Sequence, residues 1–284
     1  MIVFLNGNFV PEDQAVVSVF DRSFLYGDGL FETMRICKGE SFRWEQHLER
    51  FAQGAKFLKI RLPFSNDSLR RYVAELVARN QMPEALLRAT LSRGIGLRGY
   101  SPKGADHPSL VMSLHPAPAM DAPARWNLIT SSCRLPANEP LAQFKTCNKL
   151  SQILARAEAD AAGADEALLL NTEGYVVEAA SSNLFWVQDQ TVCTPPLASG
   201  ILPGVTRAVV LELCRTLGIN VREAAIAPAA LRRVQGIFLS LSSVGIAECV
   251  TLDGNSVSRS PLVDRLRIAY NELLSASEIH SPLA

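Results

Sequence analysis

The chain has 284 residues, 48% of them hydrophobic and 20% charged, and its 28 Lys and Arg balance 28 Asp and Glu. This length supports two domains with cores of their own. The charge balance offers no attraction to nucleic acid, and no apolar run is long enough to span a bilayer. The opening Met1-Ile2-Val3-Phe4-Leu5 lacks the basic flank and small-residue cleavage site of a signal peptide. Cys37, Cys133, Cys147, Cys193, Cys214 and Cys249 form no C-x-x-C pair and have no His nearby at metal-ligand spacing. The expectation is reduced thiols, a cytoplasmic setting and no metal.

Residues 2–5 and 9–10 flank Asn6-Gly7, which tolerates the positive φ of a tight turn, and so predict a hairpin. Residues 15–20 predict a further strand. Gly27-Asp28-Gly29 is a turn ahead of a strand over 30–36. Leu48, Phe51, Ala55 and Leu58 recur at helical spacing and predict a helix over 44–59, on which His47 and Arg50 share a face. A second helix, 66–80, follows a Ser65 or Asn66 cap.

A strand over 86–92 leads into Arg93-Gly94-Ile95-Gly96-Leu97-Arg98-Gly99-Tyr100-Ser101-Pro102. This contains a literal G-x-G-x-x-G. A dinucleotide site needs that motif to open a helix, and here Pro102 and Gly104 follow instead. The better reading is a loop that presents Arg98 and Tyr100, with the arginine suited to a substrate carboxylate. After a strand over 109–114, the proline-rich residues 115–123 suit a domain boundary. The expected division is a smaller domain over 1–117, a linker over 118–125 and a larger domain over 126–284.

The larger domain begins with a strand over 126–130. A helix over 149–162 follows, with Asn148 as its cap, Gly163 at its end and an apolar face of Leu150, Ile153, Leu154, Ala157 and Ala161. Residues 166–171 with 175–179, and 183–187 with 192–194, read as two hairpins. Leu202-Pro203-Gly204-Val205-Thr206-Arg207 opens a helix reaching 217, whose N-terminal N–H groups suit a phosphate. A buried strand over 236–241 ends in Ser240-Leu241-Ser242-Ser243, and 261–277 forms an amphipathic terminal helix.

Two residues carry candidate chemistry. Lys145, just before a helix, is a possible amine nucleophile, and Glu178 is a carboxylate late in an otherwise apolar strand. No lysine follows Lys149, so the search for the nucleophile is confined to Lys38, Lys56, Lys59, Lys103, Lys145 and Lys149. A lysine with a fixed carboxylate is what pyridoxal phosphate requires. Taken singly, a lysine is a solvated charge and a strand glutamate faces water, so the context decides.

Lys145-x-x-Asn148 before a helix, then Glu178-x-x-Ser181-x-Asn183-Leu184-Phe185, resembles the class IV aminotransferases, the fold-type IV pyridoxal phosphate enzymes, with motifs in order from Asp21 to Ser243. The resemblance implies an α+β, two-domain fold: a smaller N-terminal α/β sandwich and a larger C-terminal β-barrel-like α/β domain. It implies pyridoxal 5'-phosphate, a small-molecule amine substrate and a homodimer in which the Arg98 loop reaches the neighbouring active site. It makes Lys145 the catalytic lysine, Glu178 the partner of the pyridine nitrogen, and Asn183 a further cofactor contact. It places Arg50, Val205, Thr206 and one of Ser242 and Ser243 on the cofactor phosphate, with His47 supporting Arg50. It puts Phe31, Arg98 and Tyr100 on the substrate.

R-G-x-G-x-R-G-Y-S is typical of 4-amino-4-deoxychorismate lyases, and Thr33 matches a threonine that assists proton transfer in them. D-amino-acid aminotransferases commonly have Tyr in place of Phe31 and His in place of Tyr100. Ser242-Ser243-Val244-Gly245 departs from the Gly-Thr-Ala-Ala-type turn of branched-chain enzymes. The resemblance therefore favours the lyase, which releases pyruvate to give 4-aminobenzoate for folate, with a D-amino-acid or branched-chain aminotransferase as the alternative.

Overall fold

A computed structural model describes residues 1–120 and 122–276. Among these, one compact unit comprises Met1–Ala117 together with Phe144–Asn148, and a second comprises Pro118–Gln143 with Lys149–Ala276.

In the first unit β1 (Ile2–Leu5) and β2 (Asn8–Pro11) form the expected hairpin, with Asn6 and Gly7 at φ 51° and 96°. Residues 15–20 are not a strand. Val16, Val17, Val19 and Phe20 are exposed, and no neighbouring strand offers them a ladder, so β-propensity alone does not organise them. A short helix the sequence reading did not foresee, α1 (Arg22–Tyr26), follows. The Asp21 side chain caps it by accepting from the Ser23 N–H at 2.8 Å, and Gly27 closes it at φ 68°. Five residues are too few to show helical periodicity.

β3 (Gly29–Cys37), β4 (Glu40–Ser41), α2 (Trp44–Phe57), α3 (Asn66–Asn80), β5 (Ala85–Ser92) and β6 (Ser109–Pro116) complete the unit. The sheet is antiparallel in the order β2-β1-β6-β5-β3-β4. Strand alternation sorts β3 into two faces. Leu30, Met34 and Ile36 join Leu87, Leu91 and Leu114 in a core with Leu48, Phe51 and Ala55 of α2 and Leu69, Val73 and Leu76 of α3. Phe31 and Thr33 belong to the opposite face. Glu32 lies on the core side, 1% exposed.

The second unit is built from β7 (Ala124–Leu135), α4 (Leu150–Ala161), β8 (Glu166–Asn171), β9 (Val176–Ala179), β10 (Asn183–Gln188), β11 (Thr191–Thr194), α5 (Val205–Thr216), β12 (Val221–Glu223), α6 (Pro228–Leu231), β13 (Gly236–Leu241), β14 (Gly245–Leu252), β15 (Asn255–Ser256) and α7 (Pro261–Ser275). Both expected hairpins form. Six strands in the order β10-β13-β14-β7-β8-β9 close into a barrel, because β9 also pairs with β10 at Glu178 and Asn183.

The expected apolar face of α4 is a correction. Ala155 and Ala159 are the buried residues, while Leu150, Ile153 and Leu154 are 69%, 61% and 52% exposed. Two small side chains let the helix lie close on Leu135, Ala167, Leu169 and Val177, and the bulkier residues face outward. Lys149, not Asn148, occupies the cap position. The Asn148 side-chain amide instead donates to the Gly27 carbonyl at 3.1 Å.

The first two glycines of the G-x-G-x-x-G loop serve packing. Gly94 has φ 91°, and a Cβ there would lie 1.9 Å from the His107 carbonyl oxygen. A Cβ on Gly96 would meet the Arg22 Cδ at 2.8 Å and the Ala105 Cβ at 3.1 Å, side-chain atoms rather than backbone. Gly94→Ala is expected to cost about 2 kcal/mol or more of unfolding free energy, and Gly96→Ala less. Urea unfolding of both variants checks this, and a Gly94→Ala midpoint equal to wild type would contradict it.

Candidate active site

The position of Lys145 is set by backbone hydrogen bonds. β4 pairs only with Ile36 and Cys37, so the start of β3 has an edge for another segment. Residues 145–147 take it: the Phe31 N–H donates to the Lys145 carbonyl and the Cys147 N–H to the Gly29 carbonyl, both at 2.9 Å, with Leu30 bridging to Thr146. The Lys145 Nζ then lies 4.7 Å from the centre of the Phe31 ring. The Arg88 guanidinium lies 4.0 Å from the same ring, and Arg88 stands opposite Thr33 in the β3–β5 register. Phe31, Thr33 and Lys145 are thus brought together as expected, with Arg88 as a fourth member. Burial lowers the Arg88 pKa, but a guanidinium remains charged. Two cations against one ring form a positive locus suited to an anionic substrate. Sequence reading passed over Arg88. Its signal was a cation on the polar side of the alternating Leu87-Arg88-Ala89-Thr90-Leu91, but the register opposite Thr33 was not legible.

Glu32 was also missed. It is 1% exposed and takes both ends of the Arg50 fork: Nε donates to Oε1 at 2.8 Å and Nη2 to Oε2 at 2.7 Å. The His47 Nδ1–H donates to Oε2 at 2.8 Å. Burial opposes ionisation of Glu32, but the Arg50 charge and the His47 and Arg50 hydrogen bonds outweigh it and hold the carboxyl at about 2. Burial pushes the His47 pKa down, against the pull of Glu32, and favours the neutral imidazole. The expected His47–Arg50 face is therefore organised by a third residue. A carboxylate on the core side of β3 needs partners, and that was the signal available.

Arg98 and Tyr100 stand apart from this group. Both are exposed, Tyr100 at 88%, and the Tyr100 ring packs edge-on against Tyr26.

In the second unit Glu178 is buried at the barrel closure, and its Oε2 accepts from the Leu202 N–H at 3.0 Å. Asn183, opposite it, donates from Nδ2 to the Leu202 carbonyl at 2.8 Å. Together they hold the turn into α5. Gly204 caps α5 with no side-chain hydrogen bond, and a Cβ there would lie 2.0 Å from the Asn183 Oδ1. Val205 and Thr206 are buried in the first turn. Ser242 and Ser243 lie half-buried in the turn between β13 and β14. The hydroxyls of Ser182 and Ser240, unremarked as ligands in the sequence reading, are buried without a hydrogen-bond partner, and Ser240 pairs with Asn183 across the strands. The Ser181 hydroxyl has a structural duty, donating to the buried Glu166. In this unit a helix N-terminus without a side-chain cap, orphaned hydroxyls beside Asn183 and a buried carboxylate are groups that pyridoxal phosphate would need, and the first unit by itself supplies a fixed lysine. Among the described residues no group of three His, Cys, Asp or Glu could hold a metal, and no helix is long and apolar enough to cross a membrane.

The family model for class IV amino-transferases matches residues 29–251. The chain belongs to the class IV aminotransferase family. It is a pyridoxal-phosphate-dependent enzyme of fold type IV. A Methanocaldococcus jannaschii relative, provisionally assigned as a branched-chain-amino-acid aminotransferase, is 34% identical over 91% of this chain and 90% of its own. The aminodeoxychorismate lyase of Vibrio harveyi is 33% identical over 82% of this chain and 86% of its own. The crystal structure of the Escherichia coli branched-chain aminotransferase superposes with a TM-score of 0.90 at 28% identity, covering 96% of this chain and 94% of that one. Both activities are thus represented among its relatives.

The Glu32 pair has a pH signature. The carboxyl sits at about 2 in the folded chain against its ordinary 4.5. Its stabilisation is therefore present above pH 4.5 and lost as pH falls toward 2. The shift corresponds to something on the order of 3 kcal/mol. The stability gap between wild type and Glu32→Gln should be wide at pH 7 and shrink between pH 4.5 and 2. Chemical unfolding across that range measures it, and a gap independent of pH would contradict the assignment.

Proposed function

We propose that the protein is a 4-amino-4-deoxychorismate lyase, releasing pyruvate to leave 4-aminobenzoate. The observation that carries this reading is the Thr33 hydroxyl, a proton donor on the same face as Phe31 and opposite Arg88. A transaminase has no leaving group to protonate, whereas a lyase does. The R-G-x-G-x-R-G-Y-S loop supports the same reading.

Pyridoxal phosphate, when bound, supplies a protonated pyridine ring that accepts the electrons left when a C–H bond beside nitrogen breaks. In this reading Glu178, already fixed by the Leu202 N–H, keeps that nitrogen protonated. The α5 N-terminus at Val205 and Thr206, with Arg50 and Ser242 or Ser243, holds the phosphate. Asn183 steadies the turn into α5 and serves the cofactor through it. Lys145 would hold the cofactor through its amine and, with that amine free, would take the proton from the substrate carbon that bears nitrogen. Thr33 then supplies a proton to the departing enolpyruvyl group, which leaves as pyruvate, and the remaining ring becomes aromatic. Phe31 provides an apolar wall. The substrate carries two carboxylates, and Arg88 and Arg98 are the cations assigned to them, with Tyr100 beside Arg98.

The enzyme is proposed to act as a homodimer, with the Arg98 loop of one protomer serving the other. The exposed Val19, Phe20 and Phe24 beside the segment that carries the loop, with Leu97 and Tyr100 on it, support a covered surface here. A sedimentation mass of a single chain would exclude that arrangement.

The alternative is a branched-chain or D-amino-acid aminotransferase. It is favoured by the branched-chain aminotransferases among the relatives, and an acceptor such as 2-oxoglutarate would also bring two carboxylates. The deciding experiment mixes the holoenzyme with 4-amino-4-deoxychorismate made in situ by its synthase and follows 4-aminobenzoate by fluorescence. Rapid product formation is expected, with a loss of about a thousandfold or more in Lys145→Ala. No product from protein that binds pyridoxal phosphate, together with turnover of branched-chain or D-amino acids, would establish the alternative.

A further inference from the structure

Three arginines around the loop after β5 have different duties. Arg22, 3% exposed, aims one guanidinium at three consecutive carbonyls: Nη1 donates to Gly99 at 2.9 Å and Ser101 at 3.1 Å, and Nη2 to Tyr100 at 3.0 Å. Its Nε donates to Asp28 at 2.8 Å. Arg93 takes the same carboxylate with Nε and Nη2, at 2.7 and 3.0 Å, and also donates to the Leu58 carbonyl at 2.8 Å. Arg98 is exposed and makes no hydrogen bond or ion pair among the described residues.

Tyr26 completes the grip. Its hydroxyl accepts from the Gly99 N–H at 3.1 Å, fixing the peptide plane that joins Arg98 to Gly99. Its ring packs against Tyr100 and lies 5.0 Å from the Arg22 guanidinium. The Arg22 N–H also donates to the Gly94 carbonyl at 2.9 Å, and Asp21 bridges to Ile95. Residues 21–28 thus hold the loop at both its ends. Three hydrogen bonds from one charged group to successive carbonyls, with the Tyr26 contact to the Gly99 N–H, hold the backbone that adjoins Arg98.

We propose that Arg22 is a positioning residue for substrate recognition: its grip on the carbonyls of Gly99, Tyr100 and Ser101 sets the Arg98 guanidinium for a substrate carboxylate. This rests on the reading above in which Arg98 binds that carboxylate. Arg22 touches no substrate in this account and acts through Arg98, so the two residues must be energetically coupled.

The test is a double-mutant cycle on the holoenzyme with Arg22→Ala, Arg98→Ala and both together. The substrate is 4-amino-4-deoxychorismate, or a branched-chain or D-amino acid with 2-oxoglutarate if that is what the enzyme turns over. Arg22→Ala should raise KM about tenfold or more and leave kcat within about threefold, with the cofactor absorbance unchanged. The double variant should have a KM no higher than Arg98→Ala alone. Trypsin should cut after Arg98 faster in Arg22→Ala, and Arg22→Lys should restore part of the KM. Multiplying KM effects in the double variant, or an unchanged KM in Arg22→Ala while Arg98→Ala raises it, would overturn the positioning role alone. An unchanged KM in Arg98→Ala would overturn the substrate role of Arg98, and this inference with it. If Arg22→Ala does not fold, Tyr26→Phe carries the test: a smaller KM rise absorbed by Arg98→Ala supports the role, and no rise overturns it.

Discussion

Two backbone hydrogen bonds on the edge of β3, from Phe31 to Lys145 and from Cys147 to Gly29, are the constraint on which the first unit's chemistry depends. They add a segment distant in sequence to the strand that carries the proposed substrate-facing residues. The outward face of β3 carries Phe31 and Thr33, its core face carries Glu32, and its edge fixes the lysine. A backbone ladder is a good choice for such a task. On the proposed role Lys145 gives up and regains a bond through its amine, so its side chain would move while its Cα stays in place.

The core face of β3 works by a different rule. A buried carboxylate is costly unless its lone pairs are filled, and Glu32 fills them with the Arg50 fork and the His47 ring. Breaking one partner would leave an unpaired buried charge, so the three residues hold each other in one geometry. That geometry in turn fixes the arginine the family reading places on the cofactor phosphate. The second unit uses the barrel in a comparable way. Closing β9 onto β10 sets Glu178 opposite Asn183, and both side chains grip the Leu202 backbone that leads into α5. Orientation here comes from strand pairing and not from a long loop.

Much of this was legible in the sequence. α3 and β13 fall where periodicity placed them, and the two hairpins of the second unit follow from turn residues between apolar runs. Lys145 and Glu178 stood out by their position before a helix and within an apolar strand. The errors have common physical causes. Residues 15–20 have strand-like composition but no ladder partner. The outer face of α4 is apolar because two alanines, rather than its leucines, meet the sheet. Arg88, Glu32 and the grip of Arg22 depend on register and long-range pairing, which local patterns do not encode. The G-x-G-x-x-G shows the same limit in reverse, since at Gly94 and Gly96 the glycine is needed for the close approach of His107 and Arg22.

The central claim is that the ladder on β3 selects Lys145 as the amine that holds the cofactor. Borohydride reduction of the protein loaded with pyridoxal phosphate, followed by peptide mass spectrometry, tests it directly. The account predicts one phosphopyridoxyl group per chain, on the Lys145 side chain. A group on Lys149 or any other lysine, or none on protein that has taken up the cofactor, would contradict it.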